Sequence, residues 1–354
     1  MNSKELVIKA LYGEKTERIP AGVHGWGMYK FALEGILSDY SGEKDAWKIH
    51  GEKLADIEIH FQETFKPDYI HCAEAFFESK KAIINDEQYV DLLGAVRKLE
   101  SKKVIDELLD IVYLNPKELV KKKKFDHVGI LSEKYGDEVF IFLVTEGPLH
   151  DMMDEDGILG FERGMIAMME NPGMFVYLAE GMYERQLNFA RALKNYGAHG
   201  YSQSASYVTA DLISPDIYKN LVFPLQRDFY REIDKLGLFP IIAFWGNINP
   251  LVTFIKETNI RGLMIDESRK NYTLDVGEIK NILGNEIGLF GNVSGEKTLL
   301  HGSADDVKKE VIDQIEKAGK NGGFLSCCGP PISFGTPVEN VHALIDTAKE
   351  FKIC

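Results

Sequence analysis

The feature that most constrains this chain is a rhythm. From Phe140 onward, short apolar runs alternate with longer segments of helical period, which is the βα pattern of a parallel sheet. Strands are predicted at 140–145, 199–203, 240–245, 262–266, 287–291 and 323–326. Each is rich in Ile, Val, Leu, Phe or Met on both faces, as a strand covered on both sides must be. Helix starts fall between them. Ser214-Pro215 places an N-cap serine before a first-turn proline, Thr336-Pro337 repeats the device with Glu339 following, and Asn249-Pro250 does so again. Gly237, Gly284 and Gly319 stand where helix C-terminal glycines are expected.

Two further strands, at 19–23 and 69–72 with a helix at 46–65 between them, bring the total to eight. The predicted fold is therefore α/β, a single (β/α)8 barrel over residues 1–354. Residues 79–138 break the order and read as an insertion after the second strand that covers the mouth. They hold helix candidates near 101–110 and 116–124 and a β-hairpin candidate around 128–131. The lysine run at 121–124 reads as a solvated helix end, where cations suit the dipole.

Charge narrows the function classes. The 41 Lys+Arg against 55 Asp+Glu give a formal charge of −14, which disfavours binding to a nucleic-acid backbone. Four cysteines, at 72, 327, 328 and 354, are too few for a disulfide framework in a chain of 354 residues. No apolar run reaches signal-peptide or membrane-spanning length, so a cytoplasmic protein without membrane contact is expected.

In a barrel of this kind chemistry sits at the C-terminal ends of the strands. Read in order, those ends carry His24 and Trp26; His71, Cys72 and Glu74; Thr145, Glu146 and His150; Gln203 and Ser204; Phe244, Trp245 and Asn247; Asp266 and Glu267; Asn292 and Ser294; Cys327 and Cys328. The rim is acidic and aromatic, with Arg269 and Lys270 as its nearby cations. A carboxylate at the end of a buried strand is costly unless paired or functional, which singles out Glu146, Asp266 and Glu267. Adjacent cysteines on an extended strand point to opposite sides, so at most one of Cys327 and Cys328 faces the mouth. Dinucleotide, P-loop, zinc-protease and serine-hydrolase motifs are absent from the sequence.

Several segments carry a family resemblance. The opening helix followed by GEKTERIP, the stretch NYGAHGYSQSASYVTADLISPDIYKNLVFPLQRDF, and GLFGNVSGEKTLLHGSADDVKKEVIDQIEKAGKNGGFLSCCGPPISFGTPVENVHALI resemble the uroporphyrinogen decarboxylase superfamily in order and spacing. True uroporphyrinogen decarboxylases carry an arginine-rich segment after the first strand and an aspartate after the second. Here those stretches read AGVHGWGMYKF and HCAEAFFESKK. The resemblance is closer to the branch of corrinoid-dependent methyltransferases, which move a methyl group between a small molecule and a cobalamin on a partner protein. Several of these hold zinc with a His-x-Cys motif after the fifth strand and a cysteine after the eighth. This chain has Ala243 and Trp245 at the first place and matches only the last, with Cys328.

What the resemblance implies is a methyltransferase acting with a corrinoid protein on a small substrate other than a zinc-activated thiol. A decarboxylase of the uroporphyrinogen type, and a barrel that kept the fold and lost the chemistry, are the alternatives. For the first, Glu146, His24, His150 and Glu267 are the candidate acids and bases. Trp26, Gln203, Trp245, Asp266 and Asn292 are candidate substrate contacts, and Cys328 is the candidate metal ligand. Glu146, His24, His150, Asp266, Glu267, Trp245 and Cys328 are expected around one cavity. Zinc, if bound, needs substitutes for the missing ligands from His24, His71, Glu146, His150, Asp266 or Glu267; a metal-free site is the favoured expectation.

Overall fold

The computed structural model describes residues 1–25, 28–33, 51–73, 87–155 and 157–353. One parallel sheet runs through the chain in sequence order: β1 (Tyr69–Ala73), β2 (Phe140–Glu146), β3 (Gly200–Ser204), β4 (Phe239–Phe244), β5 (Gly262–Ile265), β6 (Gly288–Phe290) and β7 (Phe324–Leu325). The predicted first strand is reduced to a bridge. Ala21 pairs with Ser326 in parallel register. Ser326 N donates to Pro20 O, Gly22 N to Ser326 O, and Asp68 N to Ala21 O, so residues 20–22 span the gap between β7 and β1. The curled α/β sheet is thus of the barrel class, with seven strands and one bridging stave among the described residues.

Aromatic rings fill its interior. Tyr69 and Phe142 contact each other with centroids 5.7 Å apart, and Tyr69 meets Phe290 at 5.5 Å. Phe290 comes from β6, which is not a sheet neighbour of β1, so these fully buried rings meet across the lumen. At the N-terminal end Asp68 locks the closure. Its buried carboxylate receives both terminal nitrogens of Arg18 at 2.6 and 2.7 Å, the Ser3 hydroxyl at 2.5 Å and the Ala21 amide at 2.8 Å. The paired geometry satisfies a charge that would otherwise be costly to bury.

Between β1 and β2 the described helices are Glu87–Val96, Lys102–Val112, Pro116–Lys121 and Asp126–Tyr135. The two predicted helices are present, and the predicted hairpin is instead the last of these helices. Its buried His127, Val128 and Leu131 lie on one helical face, and it packs on the Glu52–Phe65 helix and on β2. The Lys102–Val112 and Pro116–Lys121 helices pack on the Pro172–Leu193 helix of the outer ring. Of the cover expected of 79–138, residues 79–86 lie outside the described residues. Ser214 caps its helix as predicted, its side chain accepting from Ile217 N. Thr336 does not: Pro337 is the N-cap of the Val338–Glu350 helix, and it offers no side-chain acceptor.

Candidate active site

β2 ends in Glu146-Gly147-Pro148, and this turn builds one side of the rim. Proline at the first position starts the Pro148–Met153 helix. Gly147 passes so close to β3 that an added Cβ would lie 2.3 Å from Ser204 O. The turn brings His150 back over the strand end, with its Nε2 3.4 Å from Glu146 Oε2. Behind them the strand is anchored by a relay of hydrogen bonds. Gln186 Nε2 donates to Glu146 O at 3.1 Å, the Tyr201 hydroxyl to Gln186 Oε1 at 2.6 Å, and Thr145 Oγ1 shares a hydrogen bond of 2.9 Å with Tyr201. Tyr207 lies against His150 with ring centroids 5.2 Å apart and donates to Asp154 at 2.8 Å.

Trp245, just past β4, forms the adjoining wall. Its Nε1 donates to Ser204 Oγ at 3.0 Å, and that hydroxyl is 2.8 Å from Ser206 Oγ. His24 stacks on the indole at 4.5 Å and 7°. His71 lies against His24 at 4.7 Å, and Phe142 against His71 at the same spacing, which gives a column of four rings descending into the barrel. Burial holds the His24 imidazole down to about 3, with the positive charge of Lys30 adding to it against a hydrogen bond to Gly329. His71 is lowered by burial too, and neither of its ring nitrogens has a hydrogen-bond partner among the described residues. Both rings are neutral at physiological pH and act as aromatic surface. Under them Lys30 is 2.5 Å from Glu58, a fully buried ion pair, and also donates to His71 O at 2.9 Å.

These residues enclose a cavity of about 180 Å³ lined by His24, Val144, Thr145, Glu146, His150, Ser204, Ser206, Trp245 and Pro331. A second, larger cavity of about 720 Å³ lies on the β5–β6 side of the rim, with Glu267, Arg269, Lys270, Asn292, Ser294 and Lys317 among its lining residues. There the turn after β5 doubles back through a bridge between Arg269 and Tyr272. Arg269 reaches Asp266 at 3.1 Å and Glu267 at 3.3 Å, Tyr272 donates to Asp266 at 3.3 Å, and Ser294 donates to Glu267 at 2.6 Å. Burial raises the Asp266 carboxyl against the pull of Arg269. Asn292 is engaged with backbone, its amide donating to Asp266 O at 3.1 Å and to Leu274 O at 2.9 Å.

Of the seven residues expected around one cavity, His24, Glu146, His150 and Trp245 line the smaller one. Glu267 lines the larger, and Asp266 stands behind Arg269. Cys328 is buried beside the first stave, where its Sγ accepts from His24 N at 3.3 Å. Gln203 sits in a narrow pocket with Tyr230, whose hydroxyl reaches its Oε1 at 3.4 Å. Trp26 and Glu74 lie outside the described residues. The strand ends fall within a residue or so of where the sequence puts them. The division arises in the loops, because Arg269 and Ser294 draw the two acids to the β6 side. Sequence reasoning missed the Lys30–Glu58 pair, Ser206 and Pro331; nothing in local periodicity marks a contact made only by closure of the sheet.

The donor set among the described residues does not suit zinc. Among the described residues no group of three or more His, Cys, Asp or Glu is placed to hold a metal ion. Ala243 and Trp245 offer no ligand, and the Cys328 Sγ is buried beside the first stave, where it accepts from His24 N.

A parallel α/β barrel with its pockets on the C-terminal rim belongs to a class in which the loops after the strands carry the chemistry. A family model described as uroporphyrinogen decarboxylase (URO-D) matches residues 100–351, and the chain belongs to that family. It is 24% identical over 241 residues to methylcobamide:CoM methyltransferase MtaA of Methanosarcina barkeri, covering 67% of each chain. It is 29% identical over 163 residues to the uroporphyrinogen decarboxylase of Trichodesmium erythraeum, covering 46% of this chain and 43% of the relative. Among solved structures, a methyltransferase from Methanosarcina mazei superposes with a TM-score of 0.75 at 19% identity over 99% of both chains, which shows a shared fold.

Proposed function

We propose that this protein is a corrinoid-dependent methyltransferase of the cytoplasm, moving a methyl group between a small methylated molecule and a corrinoid carried by a partner protein. The observation that carries the reading is the Glu146–His150 pair, 3.4 Å apart on the wall of a 180 Å³ cavity at the barrel rim. Family membership and the methyltransferases among its relatives support it.

Methyl transfer is an in-line displacement, so the protein's task is to hold the donor still, present its methyl group outward and manage charge on the heteroatom that loses it. Trp245, fixed by Ser204 and His24, supplies the rigid wall. Glu146 with His150 faces the heteroatom: a carboxylate beside an imidazole can hold a proton for a leaving oxygen or nitrogen, or oppose a positive charge on it. Glu267, held by Arg269 and Ser294, belongs to the second cavity rather than to the reacting centre. The corrinoid, presented at the open rim by its carrier, supplies or receives the methyl group. No step runs through zinc.

The test is incubation of the full chain with cob(I)alamin and a panel of methyl ethers, methylamines and methyl sulfides, followed by the visible spectrum of methylated cobalamin. Methylation from at least one donor is expected. No methylation from any, together with conversion of uroporphyrinogen to coproporphyrinogen, would replace this reading with the decarboxylase one.

A further inference from the structure

We infer that Gln186, on the outer helix behind the rim, is a positioning residue for the Glu146–His150 pair, holding both halves of the pair in place without touching a substrate itself. The inference rests on the methyltransferase reading for the role of that pair and adds the residue that sets its geometry.

Gln186 breaks the pattern of its own helix. On Pro172–Leu193, Met182 and Ala190 lie one turn to either side of it, and both are apolar and buried. A core-facing stripe of that kind calls for another apolar residue between them. Gln186 is instead an amide that is only 3% exposed. A buried amide is costly unless its hydrogen bonds are made, and a broken local rule of this sort marks a place where function or strain overrides it. The bonds that Gln186 makes lead to the site.

Their direction is fixed from one end. Glu146 O is a carbonyl and can only accept, so the amide must turn its nitrogen toward it, at 3.1 Å. The same nitrogen reaches a second acceptor, Asp151 Oδ2, at 3.4 Å. Oε1 is left facing the Tyr201 hydroxyl, which donates to it at 2.6 Å. A tyrosine has a single hydroxyl hydrogen, so the 2.9 Å bond with Thr145 Oγ1 must run from Thr145 to Tyr201.

Glu146 O and Asp151 stand at the two ends of the turn that makes the pair. Glu146 closes β2, and its carbonyl is held directly. His150 belongs to the Pro148–Met153 helix, which at six residues is too short to keep its shape and place by its own hydrogen bonds. Burial of Leu149, Met152 and Met153 presses that helix on the core without directional force. Asp151, the residue after His150, adds directional bonds: it takes the Gln186 amide and, also at 3.4 Å, Arg185 from the same outer helix. Between the two ends Gly147 contributes no side-chain packing, because an added Cβ would collide with Ser204 O. One amide bridging the ends therefore couples the strand to the helix and sets the 3.4 Å between Glu146 Oε2 and His150 Nε2.

The test reads the ring resonances of His150 by NMR at one fixed pH, in the full chain carrying isotope-labelled histidine, with His150→Gln assigning them among the nine histidines. Glu146→Gln should move these resonances, because it removes the carboxylate beside the ring. Gln186→Leu should move them in the same direction although both members of the pair are still present. Tyr201→Phe should do so to a smaller extent, since it deletes only the hydroxyl that orients the amide, and it decides the matter if Gln186→Leu does not fold. Tyr218→Phe deletes an equivalent 2.6 Å bond from a buried tyrosine to Gln226 and should leave His150 where it was. Resonances that stay put in Gln186→Leu, or that Tyr218→Phe moves as far, overturn the inference. So does a His150 that ignores Glu146→Gln, because there is then no pair to position. With any donor that the cob(I)alamin panel identifies, Gln186→Leu should lower kcat by about tenfold and leave KM near its original value, the split expected of a group that acts on placement; a raised KM with kcat unchanged also overturns it. Failure here is separable from failure of the methyltransferase reading. Resonances that move as expected while no donor gives up a methyl group remove that reading and leave the geometry set by Gln186; methyl transfer with His150 unmoved does the reverse.

Discussion

The two sides of the barrel rim start from the same chemistry and finish differently. Each presents carboxylates just beyond buried strands, Glu146 after β2 and Asp266-Glu267 after β5. On the β5 side a turn delivers Arg269 to both acids, and Ser294 and Tyr272 supply further hydrogen bonds, so the charge is partly offset beside a large cavity of about 720 Å³. On the β2 side the carboxylate meets an imidazole 3.4 Å away and a clamped indole in a cavity of about 180 Å³, and the cation beneath is committed to Glu58. A strand-end carboxylate is therefore not informative alone. What differs between the two sides is the set of partners that the surrounding loops bring to it.

The largest effect expected is at the base of the ring column. Lys30→Met leaves Glu58 as a buried charge without its lysine, and a loss of about 3–5 kcal/mol should appear in urea unfolding. The double variant Lys30→Met/Glu58→Leu should recover much of it, and no recovery would mean that the pair does not act as a unit. Next comes the comparison itself. Glu146→Gln should lower methyl-transfer turnover by about a hundredfold, the usual order for losing a positioned acid or base, with the unfolding midpoint unchanged. Glu267→Gln should leave turnover near that of the unaltered protein, and an equal fall for both would erase the distinction between the two sides.

A third measurement uses pH. His24 titrates at about 6.5 when unfolded and is held to about 3 when folded, so between those values the unfolded chain binds more protons. Stability should therefore fall as pH drops through that window, by about 1.4 kcal/mol per pH unit for each such histidine. His71 is lowered in the same direction, as is His199, to about 4. Replacing His71 by Phe should make the acid limb of the urea midpoint shallower; an unchanged slope would show that the column is not held neutral. The smallest effect is Arg269→Gln. With the guanidinium 44% exposed, the loss of its ion pairs should cost under about 1 kcal/mol, while NMR titration should find the Asp266 carboxyl raised further.

The strands from β2 to β7 stand close to where the alternation of apolar runs puts them, because a buried parallel strand must be apolar on both faces wherever it lies. The first stave was equally readable as an apolar segment, yet only closure decides that it is held by the Ala21–Ser326 bridge and a few backbone hydrogen bonds to its two neighbours rather than by a strand ladder. The hairpin expected around 128–131 is a helix because His127, Val128 and Leu131 have the Glu52–Phe65 helix to bury against. A run that short fits either period. At the site, Glu146, His150, His24 and Trp245 could be named from strand ends, but their meeting around one cavity without Asp266, Glu267 or Cys328 could not.

Sequence by itself determined the α/β class, the order of the strands and the rim that carries the pockets, since hydrophobic period and helix-start residues act over a few neighbouring positions. Tertiary structure alone decided that His24 stacks on Trp245, that Lys30 is committed to Glu58, and that Arg269 bridges one pair of acids while Glu146 lies beside an imidazole. Those partners are brought together by curling of the sheet and by the path of single loops. The energy of a buried charge depends on the atoms within a few ångströms of it, whatever their distance along the chain.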